Sequence, residues 1–227
     1  MNWEEIFIAL PKLLDGALLT VELVLISCIV GFVIATPVAL MRSSQNWWLR
    51  NIPLIYTYFF RGTPLLVQLF LFYYGLGQFE AVRESFLWPV LREAYWCALI
   101  VFALNTGAYT AEIFRGAIQA IPHGEIEAGV AIGMKKATLY RRVVLPRAIR
   151  MALPSYGNEI ILMLKSSALA YTITLFDLTG VTRTIIARNY LAIEMYFTAG
   201  VIYLLLTFIF IQVWMRLEKH LLRFQKV

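Results

Sequence analysis

A glutamate and two asparagines lie inside long apolar runs of this sequence, where charged and amide side chains are costly. Glu159 follows Asn158 in one run, and Asn105 lies near the middle of another. Because a charge is rarely kept inside a bilayer without a partner or a cavity, Glu159 predicts either a pathway for a cationic solute or a structural ion pair. The pathway is the favoured interpretation, and Arg61 and Lys165 are the alternative ion-pair partners.

The predicted pathway comprises polar side chains in or beside these runs: Arg61, Asn105, Thr106, Ser155, Asn158 and Glu159. Arg61 is followed by Gly62 and Pro64, and proline removes a backbone hydrogen bond, so we expect a kinked or broken helix that lines a cavity. Arg61 could contact a substrate carboxylate or lie at the cytoplasmic interface, and the sequence leaves both open. Glu112 lies near the cytoplasmic end of its run and is expected to reach the interface or to pair with Arg115.

No catalytic residue, metal site or bound cofactor is predicted. An enzyme within the membrane would need a nucleophile and a base at matching depth, yet neither of the two histidines lies in an apolar run. Cys28 and Cys97 lie in separate runs and have no histidine beside them, so they do not form a metal site.

The apolar runs indicate a polytopic, all-α membrane protein. Hydrophobic residues make up 60% of the chain and charged residues 15%, and the mean hydropathy is +0.71. Since about 20 apolar residues cross a bilayer, five membrane-spanning helices are predicted, at about 17–41, 52–76, 95–114, 149–171 and 195–215. The amino terminus reads MNWEE and shows no cleavage site, so the first run is expected to remain as a span.

Basic residues orient these spans. The segment from Arg115 to Arg150 holds seven basic and two acidic residues, which predicts a cytoplasmic location. The carboxyl-terminal tail, with Arg223 and Lys226, belongs on the same side. Five spans then place Met1 and the 78–94 segment outside. Topology therefore explains the net charge of +6, and nucleic-acid binding is not predicted.

The same basic segment predicts two short helices. Pro122 suits a helix start, and Gly133 suits a helix end in the left-handed conformation. A second helix is expected over about Lys136 to Val144, with Leu139 and Val143 on one face. A short amphipathic helix held between two spans is suited to insert into the groove of a partner protein.

The sequence EAGVAIGMKKATLYRRVVLP, at 127–146, resembles the cytoplasmic signature of the membrane subunits of binding-protein-dependent ABC importers. That signature reads EAA, three residues, G, nine residues, I, one residue, LP. The matching positions, which the resemblance assigns to ATPase coupling, are Glu127, Ala128, Gly129, Gly133, Leu145 and Pro146. Gly129 replaces an alanine and Val143 the isoleucine.

Three further segments are similar to the polar amino acid branch of these permeases, and most similar to the subunits for histidine, arginine, lysine and ornithine. They read RGTPLLVQLFLFYYG, LNTGAYTAEIFRGAI and PSYGNEIILMLKSSALAYTIT. The resemblance implies a type I ABC importer permease fold over residues 1–227 as one domain, with a coupling loop at about 115–150. The alternatives are a permease for another polar amino acid such as glutamine, or a secondary transporter.

The resemblance also implies partners and a location in the bacterial inner membrane. The partners are two ATP-binding subunits, a second membrane subunit that is identical or homologous, and a periplasmic or lipoprotein substrate-binding protein. The sequence contains no G-x-x-x-x-G-K-[ST] phosphate loop, so the ATP would be used by a separate ATPase chain.

Overall fold

The computed structural model describes residues 2–222, which form eleven α-helices and no strand, so the all-α prediction is confirmed. Three positions used in the topology prediction, Met1, Arg223 and Lys226, lie outside the described residues. The α-helices are α1 (Trp3–Arg42), α2 (Trp47–Gly62), α3 (Leu65–Phe70), α4 (Glu80–Arg83), α5 (Trp88–Leu91), α6 (Ala94–Gln119), α7 (His123–Ala131), α8 (Lys136–Leu139), α9 (Leu145–Ser166), α10 (Leu178–Asn189) and α11 (Ala192–Leu221). Tighter or wider turns extend three of them: Leu71–Gly75 and Leu76–Gln78 after α3, Tyr140–Val144 after α8, and Ser167–Ile173 after α9.

Helix α1 is much longer than the predicted span at 17–41. Its 40 residues extend about 60 Å at 1.5 Å per residue, roughly twice the thickness of a bilayer core. The helix begins early because the Asn2 side chain accepts a hydrogen bond from the Glu5 backbone N–H at 3.4 Å, and Glu4 and Glu5 lie in the first turn, where carboxylates suit the helix dipole. The predicted first span is therefore the carboxyl-terminal part of a longer helix.

The second predicted span is not one helix. Helix α2 ends at Gly62, and the helical segment Leu65–Gln78 leaves at an angle of 106°. Thr63 and Pro64 form the break and have extended backbone conformations. The expected break at Pro64 is confirmed, and the predicted span over 52–76 consists of two helical segments rather than one continuous helix.

Three helices, α1, α6 and α11, are each long and apolar enough to cross a membrane. Two bent helix pairs bring the number to five if each pair is one span: α2 with Leu65–Gln78, and Lys136–Ile173 with α10, the latter bent by 49°. Helices α6 and α11 extend beyond the predicted spans at 95–114 and 195–215. Helix α10 has no counterpart in the predicted set.

Helix α10 is fixed at its amino-terminal end by one neighbouring and one distant polar side chain. Its amino-terminal N–H groups at Thr179 and Gly180 donate to the Asp177 carboxylate at 3.2 and 3.1 Å. The Leu178 N–H donates to the Thr20 hydroxyl of α1 at 3.1 Å. The Thr20 side chain is fully buried between α1 and α10.

The core is centred on α6, which packs between α1 and α9. Leu23, Phe102 and Met163, one from each of these helices, are almost completely buried in it. Tyr156 of α9 donates to the backbone carbonyl of Cys28 at 2.9 Å, which ties α9 to α1. Helix α6 therefore holds α1 on one side and α9 on the other, and its own polar side chains lie between them.

Candidate functional site

The break between α2 and α3 is stabilised by two buried amides. The Gln68 side chain donates to the Phe60 carbonyl at 2.9 Å and to the Thr63 carbonyl at 3.0 Å. Asn105 of α6 donates to the same Phe60 carbonyl at 3.1 Å and to the Gln68 Oε1 at 3.0 Å. Carbonyls freed by a break at membrane depth need such partners, because the hydrocarbon offers none.

Beside this break lies a cavity of about 460 Å³. Its lining comes from the break and from α6 and α9: Arg61, Gly62, Thr63, Pro64, Leu65, Asn105, Tyr109, Glu159, Leu162, Met163 and Ser166. The structure therefore brings together three of the six predicted pathway residues, namely Arg61, Asn105 and Glu159. An amino acid fits a volume of this size, at the lower end of the range for small-molecule sites.

Glu159 has only 6% of its surface exposed, and that surface lines the cavity. Within residues 2–222, no lysine or arginine nitrogen lies within 4.0 Å of its carboxylate. Lys165, one of the two alternative partners, lines a separate groove with Gly200 and Thr207. The carboxylate is therefore buried beside a cavity rather than held in an ion pair of the described chain.

Arg61 lies at the end of α2 on the rim of the cavity, with 44% of its side chain exposed. Its guanidinium stacks over the Tyr109 ring at 5.3 Å, and the Tyr109 hydroxyl donates to the Arg61 carbonyl at 3.4 Å. Arg61 borders the same cavity as Glu159 but forms no ion pair with it. The rim thus carries a cation and the interior carries a carboxylate.

Glu112 accepts a hydrogen bond from Arg115 at 2.7 Å, so the expected pair is confirmed. The structure adds Arg42 of α1, whose Nε donates to Glu112 at 3.0 Å, and Arg61, whose Nη1 lies 4.0 Å away. Glu112 and Arg42 are only 11% and 12% exposed. This cluster connects α1, α2 and α6 next to the rim of the cavity.

The other three predicted pathway residues do not line the cavity. Thr106 is fully buried, and its hydroxyl has no hydrogen-bond partner within residues 2–222. Ser155 and Asn158 lie on the exposed face of α9 together with Lys165. Both residues are close to Glu159 along α9, but their side chains lie on the exposed face of the helix, whereas the Glu159 side chain is buried.

The predicted coupling segment folds as two helices after α6. Helix α7 ends as expected before Gly133, which adopts the left-handed conformation with φ of 76°. Val130 and Ile132 are 60% and 73% exposed, and Glu127 and Ala128 are exposed beside them. The loop therefore presents a small apolar surface with one carboxylate, and nothing in the described chain covers it.

Gly129 is the buried residue of this helix, and it explains one departure from the signature. A methyl group added at Gly129 would clash with the Leu139 Cδ1. Leu139 is 4% exposed and anchors the loop in a cluster with Phe114 and Val144. Glycine at this position lets Leu139 pack closely against α7.

The second predicted helix does not end at Val144. Helix α8 continues through the wider turn Tyr140–Val144 directly into α9, and Pro146 is the second residue of α9, immediately after that wider turn. Arg147 of α9 also pairs with Glu125 of α7 at 3.2 Å. The helix that carries Glu159 is therefore continuous with the exposed loop and tied to it.

Gln68 is the residue of this site that the sequence reasoning missed. It follows Pro64 by four residues within an apolar segment. An amide placed one turn after a helix-breaking proline is suited to satisfy the carbonyls that the break frees, and that spacing was the available signal.

A family model described as "Binding-protein-dependent transport system inner membrane component" matches residues 27–222. The octopine transport system permease protein OccM of Rhizobium radiobacter is 50% identical over 206 residues, covering 91% of this chain and 84% of that protein. The histidine/lysine/arginine/ornithine transport system permease protein HisM of Escherichia coli K12 is 42% identical over 212 residues, covering 93% of this chain and 89% of that protein.

A solved structure described as an amino acid ABC transporter with histidines resembles this chain with a TM-score of 0.86 and 32% sequence identity. The match covers 97% of this chain and 99% of that chain. The break after α2, the exposed loop and the cavity thus belong to a chain that is similar to transporter subunits along nearly its whole length.

Proposed function

The chain belongs to the family of binding-protein-dependent transport system inner membrane components, and we propose that it provides the substrate pathway of an ATP-driven importer of cationic amino acids. The observation that carries this proposal is the Glu159 carboxylate, which lies in a cavity beside a broken helix without an ion-pair partner within residues 2–222. Transporters commonly place substrate sites at such discontinuous helices. A substrate ammonium or guanidinium would supply the missing countercharge.

The chemistry of the substrates in the relatives' names supports this charge preference. Octopine, arginine, lysine and ornithine carry a guanidinium or an ammonium beyond the α-carbon, and histidine carries an imidazole that can be protonated. The carboxylate in the cavity can bind each of these groups, whereas a neutral amino acid such as glutamine offers only an amide.

The loop from Arg115 to Arg150 would dock a separate ATPase. Its exposed side chains at Glu127, Val130 and Ile132 form a small surface suited to a groove. Helix α9 continues from this loop and carries Glu159, so a movement of the loop would be transmitted to the cavity. In this proposal two ATPase subunits bind and use the ATP, while this chain holds no cofactor and catalyses no covalent step.

A second membrane subunit, identical or homologous, would cover the polar face of α9. Ser155, Asn158 and Lys165 are all exposed on that face. Hydrocarbon cannot solvate these groups, so polar side chains in a spanning helix face protein or a water-filled pathway. A periplasmic or lipoprotein substrate-binding protein would deliver the amino acid from the other side, and residues 1–227 would act as one transmembrane domain.

The proposal is tested by reconstituting this chain with its ATPase, membrane and binding-protein partners in proteoliposomes. We expect arginine uptake that requires ATP and is competed by lysine and ornithine far better than by glutamine. Uptake that follows an ion gradient without ATP would indicate a secondary transporter, and competition by glutamine as strong as by lysine would contradict the charge preference.

The orientation we propose places the 115–150 loop and the carboxyl-terminal end of α11 in the cytoplasm, and the 78–94 segment outside. Its basis is the excess of basic residues in the loop. A cysteine introduced at Glu84 should react with a membrane-impermeant reagent added to intact cells, whereas one introduced at Lys136 should react only after lysis. Both positions are exposed, so labelling of Lys136→Cys in intact cells would reverse the topology.

A further inference from the structure

Four charged side chains meet beside the rim of the cavity. Glu112 accepts from Arg115 and Arg42 at 2.7 and 3.0 Å, and it also lies 4.0 Å from the Arg61 guanidinium. The first two contacts are charge-assisted hydrogen bonds, whereas the third is a longer electrostatic contact. Glu112 is therefore firmly held by two arginines and holds the third one loosely.

Arg61 differs from the other two arginines because it also borders the cavity. Its side chain is 44% exposed, against 12% for Arg42 and 27% for Arg115. The same cavity is lined by Glu159. Arg61 thus contacts the Glu112 carboxylate and also borders the cavity that Glu159 lines, so a movement of its flexible guanidinium would take it from one carboxylate toward the other.

The position of Arg61 decides how much negative charge the cavity offers. Paired with Glu159, the guanidinium would neutralise the one carboxylate in the cavity lining and compete with a cationic substrate. Drawn toward Glu112 and stacked on the Tyr109 ring, it leaves that carboxylate open. Loss of the Glu112 charge would also leave Arg42 and Arg115 uncompensated, and their repulsion would push Arg61 toward the cavity.

We propose that Glu112 is a positioning residue for substrate charge, which holds Arg61 on the rim and so keeps the Glu159 carboxylate free for a cationic amino acid. The inference rests on the proposed function of the cavity. It assigns selectivity to a residue that does not itself line the cavity, and it makes Arg61 an internal competitor of the substrate cation.

The test measures the ratio of arginine to glutamine uptake in proteoliposomes of the complete transporter. Glu112→Gln should lower this ratio about tenfold, as expected when a charged hydrogen bond is lost to a competitor. The double variant Glu112→Gln with Arg61→Gln should restore the ratio to within about threefold of the wild type, since the competing cation is gone. Because both substrates carry an α-carboxylate, any contact of Arg61 with that group cancels in the ratio.

Two further variants keep the test decisive if Glu112→Gln assembles poorly. Arg61→Gln alone should leave the ratio equal to or above the wild-type value, and a lower ratio would overturn the proposal. Arg42→Gln is the control. Arg42 also pairs with Glu112 but does not border the cavity, so its loss should leave the ratio unchanged. If the cluster is purely structural, Glu112→Gln should reduce the amount of assembled complex without changing the ratio of arginine to glutamine uptake. Adding Arg61→Gln should then not restore the amount of complex.

Failure of this inference can be told apart from failure of the proposed function. If the wild type shows no preference for arginine, the proposed function is wrong. If the wild type prefers arginine and Glu159→Gln loses that preference while assembled Glu112→Gln retains it, only the positioning role of Glu112 is wrong.

Discussion

Reversing the charge of Glu127 should abolish uptake and release the ATPase while leaving the membrane helices folded. In Glu127→Lys the exposed surface of α7 changes from acidic to basic at a position with no ion-pair partner among the described residues. If the ATPase surface is complementary to the Glu127 carboxylate, a lysine there would place like charges together at a cost of several kcal/mol, and ATPase association should weaken by at least about 100-fold. The measurement is co-purification of the ATPase in mild detergent, together with uptake.

The fold of the loop makes this test specific to docking. Its anchoring side chains, Leu139 and Val144, are buried and remain untouched in Glu127→Lys.

Gly133→Trp is also expected to weaken ATPase association, because Gly133 is exposed on the loop and its φ of 76° strains a residue with a large side chain. As a control, Glu84→Lys makes the same charge change in the 78–94 segment and should leave ATPase association unchanged. Full uptake by either loop variant would contradict the docking role.

Glutamine in place of Glu159 should lower arginine and lysine uptake roughly 10- to 100-fold and affect neutral amino acids much less. A hydrogen bond to a charged group contributes about 1.5–3 kcal/mol, and the amide keeps the size of the side chain without its charge. Substrate affinity of the binding protein should be unchanged, because delivery occurs outside this chain. The initial rate of ATP-driven uptake is the measurement.

Two matched variants accompany this prediction. Glu159→Asp keeps the charge on a shorter side chain and should fall between the wild type and Glu159→Gln. Glu84→Gln makes the same chemical change at an exposed position in the 78–94 segment, away from the cavity, and this variant should take up arginine at the wild-type rate. The amount of assembled complex has to be measured with each, since a structural role for Glu159 predicts equal loss of all transport together with poor assembly.

Local signals in the sequence predicted the parts of the site that depend on neighbouring residues. Pro64 predicted the break, Gly133 the end of α7 and the basic segment the loop, because each of these features follows from backbone chemistry or from hydropathy within a few residues. Glu159 could be singled out because a carboxylate within an apolar run is unusual. The cavity that it lines required three segments to be brought together.

The parts that the sequence did not predict depend on distant pairs. Arg42 reaches Glu112 across 70 residues, and Thr20 reaches Leu178 across 158. Helix α10 was missed because its sequence, LTGVTRTIIARN, is too polar to be recognised as a membrane segment, and it is held instead by the buried Asp177 cap. Ser155 and Asn158 were grouped with Glu159 by proximity in the sequence, although their side chains leave α9 on its exposed face.

The central claim is that the cavity around Glu159 passes cationic amino acids, and the arginine preference of the assembled transporter tests it most directly. Wild-type and Glu159→Gln complexes, matched for the amount of all subunits, would be reconstituted and supplied with equimolar labelled arginine and glutamine. The account predicts a strong preference for arginine in the wild type that falls by at least about tenfold in Glu159→Gln. A fully assembled Glu159→Gln transporter with the wild-type preference for arginine would contradict it.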